Sequence, residues 1–158
     1  MTLRYGLIGT GQMGHGHIGA LKHIDDAEFV AAADTHEASR KRAAESLGDD
    51  VPIYSSAGDL LEQANVDAVV IATADDTHAD IVCTCLEAGI HVLSEKPMAT
   101  TVQDCSRILD ASQAAPGIYQ VGLELRYAAL WAKMHELITE GQIGTVRQLW
   151  CKEFRGPW

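Results

Sequence analysis

The segment Gly9-Thr10-Gly11-Gln12-Met13-Gly14 constrains this chain more than any other. Its glycines follow the spacing G-x-G-x-x-G. They stand between a β-type run, Leu3–Gly9, and a stretch with helical character from about Gln12 to His23. Each glycine has a physical use in that setting. The first permits a tight turn, the second lets the backbone approach a pyrophosphate, and the third lets helix and strand pack closely. The helix that follows presents its free N–H groups and the positive end of its dipole to the turn. A glycine-rich turn with no ligand is the alternative, and the strand–turn–helix context disfavours it.

Asp34 completes the pattern. It lies twenty residues after Gly14, at the end of the next β-type run, Glu28–Asp34. A carboxylate there accepts hydrogen bonds from an adenosine ribose and repels a 2′-phosphate, so the expected cofactor is NAD, with NADP disfavoured. Thr35 and His36 follow in place of an immediate arginine, and Arg40 is the nearby cation that could swing in.

Downstream, short apolar runs alternate with helical stretches, the mark of a parallel α/β sheet. Glu37–Leu47, closed by Gly48, reads as a helix, Val51–Tyr54 as a short strand, and Leu60-Leu61 as part of a small helix ending near Asn65. Val66–Thr73 is almost continuously apolar, as in a central strand covered on both faces. A helix over Asp76–Ala88 stopped by Gly89, a strand over His91–Ser94, a helix from about Thr101 to Ala114 and a strand over Ile118–Val121 follow. The predicted class is α/β, a doubly wound parallel sheet of the Rossmann type, over residues 1–122. Residues 123–158 change character. An amphipathic helix over Ala128–Glu140, with Trp131, Met134, Leu137 and Ile138 as its packing face, is broken by Gly141–Gly144. A strand over Val146–Phe154 comes next. That strand starts something these residues do not finish.

Composition narrows the partners. Lys plus Arg total 12 and Asp plus Glu total 22, a net charge of −10. That balance disfavours non-specific binding to nucleic acid or anionic membranes, which need a basic face. No apolar stretch approaches the ~20 residues of a spanning helix, and the N-terminus lacks the pattern of a secretory leader. The expected location is cytoplasmic. Cys83 and Cys85 are spaced i, i+2 and Cys105 and Cys151 stand alone, which predicts buried reduced thiols and no metal. The acidic doublets Asp25-Asp26, Asp49-Asp50 and Asp75-Asp76 read as solvated loop edges. His15 and His17, also i, i+2, do not form a metal pair.

Open α/β sheets bind ligands at the carboxyl ends of their strands. Two further segments fall there. Thr73-Ala74-Asp75-Asp76-Thr77-His78 places Thr73, or its backbone, within reach of a cofactor, and His78 at the start of the next helix is a candidate cofactor contact, a structural cap or surface role being the commoner one for such a residue. Glu95-Lys96-Pro97 ends the fifth strand. A lysine at that position can donate to a substrate hydroxyl or carbonyl, and Glu95 can hold it or touch the cofactor.

The combination of GTGQMGHGH, Asp34, VDAVVIATADDTHAD and GIHVLSEKPMATT resembles the glucose–fructose oxidoreductase and inositol dehydrogenase family, and QVGLELRYAALWAKMHELITEGQIGTV resembles that family's stretch between its two domains. The resemblance implies an NAD-dependent oxidoreductase that moves a hydride between nicotinamide and a secondary alcohol carbon of a sugar or polyol. It implies that Lys96 moves the substrate's proton, that Arg126 and Tyr127 face the substrate, that His17 is the histidine common in the family's first helix, and that the protein forms a homo-oligomer. Ala74, Leu125 and Ala129 depart from the family's pattern. The resemblance implies that residues 123–158 are the linker helix and first strand of the family's second, α+β domain for substrate binding and dimerisation, the rest of which is missing, so the 158 residues alone are expected to be inactive. A nucleotide-binding sensor without catalysis, or a non-catalytic piece of a longer enzyme, are the alternative readings.

Overall fold

A computed structural model describes residues 2–154. Six parallel strands form one sheet: β1 (Leu3–Ile8), β2 (Ala27–Ala33), β3 (Ile53–Tyr54), β4 (Ala68–Ile71), β5 (His91–Glu95) and β6 (Tyr119–Gly122). Their spatial order is β3-β2-β1-β4-β5-β6. The helices are α1 (Gln12–Leu21), α2 (Glu37–Leu47), α3 (Ala57–Gln63), α4 (His78–Glu87), α5 (Val102–Ala114) and α6 (Ala129–Thr139). The chain divides into two compact units, Met1–Gly122 and Leu123–Trp158. The sheet and α1–α5 lie in the first.

The sheet's order explains its composition. Both faces are covered, so neighbouring residues of one strand enter different cores. On one face Leu7, Ile18, Phe29, Ala32 and Val70 cluster, and Tyr5 meets Phe29 edge-on at 6.3 Å between ring centres. On the other, Ile8, Val69, Ile71, Val82, Leu86 and Ile108 pack together. The strand order turns back between β1 and β4, which opens a crevice at the carboxyl ends of those two strands.

Helix ends follow local chemistry. Ser56 and Thr101 cap α3 and α5, accepting from the N–H groups of Asp59 and Asp104 at 3.1 Å each. At the end of α4, Gly89 takes φ +77°. Its N–H reaches Leu86 O at 2.9 Å, and the Ile90 N–H reaches Cys85 O at 3.0 Å, which satisfies two terminal carbonyls. α5 stops at Ala114 because Ala115 precedes Pro116 and is driven to extended backbone.

Three expectations need correction. The helix expected over Asp76–Ala88 opens as a tight 3-10 turn, Asp75–Thr77, before α4 begins at His78. Thr77 bends back there, its hydroxyl donating to Thr73 Oγ1 and lying 2.7 Å from the Ala74 carbonyl. The strand expected over Val66–Thr73 pairs only over Ala68–Ile71. No strand forms over 146–154, where the chain is irregular and exposed. A β-rich sequence becomes a strand only beside a ladder partner, and among the described residues none runs alongside it. The remaining residues of that segment, 155–158, lie outside the described ones. In the second unit no residue of α6 is buried. Met134 and Leu137 are its half-buried positions, while Trp131 and Ile138 are exposed.

The β1–α1 turn depends on two glycines. Gly9 has φ +92°, and a Cβ there would stand 2.5 Å from the Ala72 carbonyl. A Cβ on Gly14 would stand 2.2 Å from the Gly9 carbonyl oxygen. At Gly11 a Cβ would meet nothing within 4 Å. Gly14→Ala is therefore expected to destabilise the fold by about 1–3 kcal/mol, the usual cost of forcing extra volume into a packed site. Gly11→Ala is expected to cost well under that. Denaturant unfolding of both variants checks the contrast, and equal losses would contradict it.

Candidate functional site

The turn after β1 delivers α1 to the crevice with its first N–H groups unclaimed by any side chain, since Gly11 is the N-cap and makes no side-chain cap bond. No acidic residue stands in the helix's first turn. Gln12 and Met13 are exposed, whereas Thr10 is fully buried. The His15 ring holds the turn from below, its Nδ1 lying 3.0 Å from Thr10 O and 3.1 Å from Gly11 O. An open-faced Gly11 with free helical N–H groups behind it is a cradle for an anion.

Asp34 lies just past β2, and the fold ties it to the same turn. Its Oδ2 accepts from Thr10 N–H at 2.8 Å and from the Thr10 hydroxyl at 3.0 Å. Its Oδ1 accepts from His36 N–H at 2.8 Å. The His36 ring nitrogen Nδ1 also lies 3.4 Å from Oδ1, so most of the carboxylate's roughly four acceptor positions are engaged. Burial alone would raise this carboxyl's pKa, but the N–H groups of His36 and Thr10, the Thr10 hydroxyl and the His36 ring outweigh burial and hold it below the usual carboxylate range. Arg40 does not reach across. It donates to the Asp34 carbonyl at 2.8 Å and to the Thr35 carbonyl at 2.9 Å, which commits it to the main chain.

A cavity of about 420 Å³ opens beside these groups, lined among others by Gly9, Gly11, Asp34, Ser39, Thr73 and Thr77. Thr73 thus stands where the sequence put it, at the carboxyl edge of β4. His78 does not line this cavity. It is fully enclosed, with Nδ1 2.8 Å from Pro97 O and Nε2 3.3 Å from Thr73 O. Both ring nitrogens are turned to main-chain carbonyls, so the ring braces the β4 and β5 end loops against each other. It has no free nitrogen for a ligand, which corrects its reading both as a surface cap and as a cofactor contact.

Glu95 and Lys96 separate in role. Glu95, buried at 9% exposure, does not hold the lysine ammonium. Its Oε1 lies 2.9 Å from His17 Nε2, and its Oε2 accepts the Lys96 backbone N–H at 3.3 Å. The Lys96 side chain is exposed, and the Lys96–Pro97 peptide is cis. Arg126 and Tyr127 lie on a 3-10 turn, Glu124–Tyr127, in the second unit, both exposed. The His17–Glu95 contact was not foreseen. It joins residues 78 apart, and no spacing rule brings such a pair together.

Elsewhere the cysteines divide. Burial pushes the Cys85 thiol up to about 12 and also raises Cys83, while Cys151 is exposed, contrary to the expectation of buried thiols throughout. The acidic doublets are exposed. Among the described residues no group of three His, Cys, Asp or Glu side chains could hold a metal, and no helix is long and apolar enough to cross a membrane.

Residues 3–123 match the model of an oxidoreductase family with an NAD-binding Rossmann fold, and the chain belongs to that family. It is 38% identical over 147 residues to inositol 2-dehydrogenase 1 of Saccharopolyspora erythraea, covering 91% of this chain and 43% of that protein. It is 34% identical over 142 residues to myo-inositol 2-dehydrogenase of Thermotoga maritima, covering 90% and 42%. The chain thus spans less than half the length of these relatives. Among solved structures, the WlbA dehydrogenase of Bordetella pertussis in complex with NADH and UDP-GlcNAcA superposes with a TM-score of 0.86 at 35% identity, covering 91% of this chain and 44% of that one. Scyllo-inositol dehydrogenase of Lactobacillus casei, with bound NAD(H) and scyllo-inositol, gives 0.86 at 27% identity, covering 91% and 43%.

The Asp34 geometry has a measurable sign. A carboxyl whose pKa is lowered on folding contributes stability that is complete above its unfolded value of about 3.9. That contribution is lost as pH falls through the folded value. Carbon-13 NMR is expected to show Asp34 titrating below a free aspartate, with Thr10→Val moving its midpoint upward by removing one donor. A wild-type midpoint at or above the free-aspartate value would contradict this account of the tie.

Proposed function

We propose that this chain is the NAD(H)-binding part of a dehydrogenase that oxidises a secondary alcohol of a sugar or polyol. One observation carries the reading. The open cradle at Gly11 and the anchored Asp34 carboxylate border the same cavity at the sheet's switch point, where open α/β sheets take a dinucleotide. The residues present fit NAD. Gly9 to Gly14 receive the pyrophosphate through backbone N–H groups, and Asp34 accepts from the adenosine ribose. Thr73 borders the cofactor and Glu95 stands at the end of β5, under the second half of the crevice. When bound, NAD supplies a nicotinamide ring that exchanges a hydride with carbon.

Lys96 is the group that handles the substrate's proton. Its ammonium is exposed at the carboxyl edge of β5, where it can donate to the hydroxyl or carbonyl oxygen of the reacting carbon. Arg126 and Tyr127 are the candidates for substrate contact. The named activities of the relatives, inositol dehydrogenases above all, support the substrate class. A homo-oligomer and a cytoplasmic location remain parts of the same proposal.

Asp34 favours NAD over NADP because its charge would repel a 2′-phosphate, and Arg40 is anchored through Nη1 to the Asp34 and Thr35 carbonyls. Calorimetric titration is expected to show NADH binding more tightly than NADPH. Asp34→Ala should weaken NADH binding by about 1–3 kcal/mol, the typical loss of a charged hydrogen-bonding partner. Gly11→Ala should keep the fold and lose affinity. NADPH binding as tightly as NADH would sink the specificity argument.

In the assembled enzyme, Lys96→Ala is expected to lower kcat about 10²–10⁴-fold with little change in NAD affinity, as for a positioned acid–base group. Turnover that survives while cofactor affinity falls would make Lys96 a cofactor ligand. That result would favour the non-catalytic alternative for this chain.

A further inference from the structure

We propose that His17 is a positioning residue for the nicotinamide half of the crevice. The inference rests on the dinucleotide reading above. A doubly wound sheet binds a dinucleotide as two mononucleotide halves, one over each side of the switch point. Asp34 fixes the adenosine half over β1–β3, so the nicotinamide half falls over the ends of β4, β5 and β6.

His17 crosses between the two. It stands on α1, the helix that starts at the phosphate cradle, and its Nε2 lies 2.9 Å from Glu95 Oε1 at the end of β5. The other oxygen, Oε2, accepts the backbone N–H of Lys96 at 3.3 Å. The carboxylate is therefore held at both ends. The Glu95 side chain is 11% exposed and that of His17 is 25% exposed, so water competes weakly for either contact. Lys96 gains direction from this arrangement. Its ammonium makes no hydrogen bond or ion pair among the described residues, so what fixes its direction is its main chain. That main chain is anchored by Glu95, and Glu95 by His17. Without His17, a nearly buried carboxylate loses its partner. It then turns toward water or stays unsatisfied, and either change moves the wall on which the nicotinamide rests.

Isothermal titration with two ligands tests this on the chain as it stands. NADH spans both halves of the crevice, whereas ADP-ribose lacks the nicotinamide. His17→Ala is expected to weaken NADH binding about tenfold, the lower range for a charged hydrogen bond, and to leave ADP-ribose affinity unchanged. His17→Gln, whose amide can still donate, should recover most of the NADH affinity. Glu95→Gln should follow the alanine pattern and serves as the test if His17→Ala does not fold. A parallel loss for both ligands, or no loss for NADH, would overturn the assignment of His17 while leaving the dinucleotide site standing. Failure of the unaltered chain to bind either ligand would overturn both.

Discussion

The backbone oxygen of Gly9 lies where a Cβ on Gly14 would be 2.2 Å away, and this close approach sets the start of α1. A Cβ on Gly9 itself would stand 2.5 Å from the Ala72 carbonyl, so β1, the end of β4 and α1 meet at one point that admits no side chain. The rest of the site follows from that meeting. Because α1 begins hard against the sheet, its N–H groups emerge at the switch point. Thr10 is then buried directly beside the end of β2, close enough to hold Asp34 twice. Gly9 and Gly14 are therefore required by packing, whereas a Cβ on Gly11 would meet nothing within 4 Å.

The cradle carries no cation of its own. None of the residues lining the cavity is a lysine or arginine, and the charged group among them is the Asp34 carboxylate. In a chain of net charge −10, an anionic cofactor must be received by oriented N–H groups and the helix dipole. The acid then discriminates. It is kept ionised by the same turn that is proposed to receive the phosphates, and Arg40 is held through Nη1 on two carbonyls of the Asp34 loop. The family relation and the local geometry thus support one reading from independent directions.

Much of this was legible in the sequence, for identifiable reasons. The glycine spacing and Asp34 at its fixed distance are local signals, and the alternation of apolar runs with helical stretches dictates the parallel sheet. α2 is legible over Glu37–Leu47 because a stretch rich in Ala, Arg and Glu is closed by Gly48. What escaped was whatever depends on distant partners. His17 and Glu95 are 78 residues apart, and His78 lies inside the protein against carbonyls of two loops that no pattern places together. The 146–154 segment failed for the converse reason. Its residue types suit a strand, but propensity does not supply the neighbouring backbone a strand must pair with.

The central claim is that the β1–α1 turn and the end of β2 together grip the dinucleotide. Amide chemical-shift mapping with NADH, on nitrogen-15-labelled protein, tests it most directly. The account predicts that the largest changes fall on the N–H groups of Gly11, Gln12, Met13 and Gly14 and on those of Thr10, Thr35 and His36. A response confined to the groove between α4 and α5, around Cys83 and Arg107, with those amides unmoved, would contradict it.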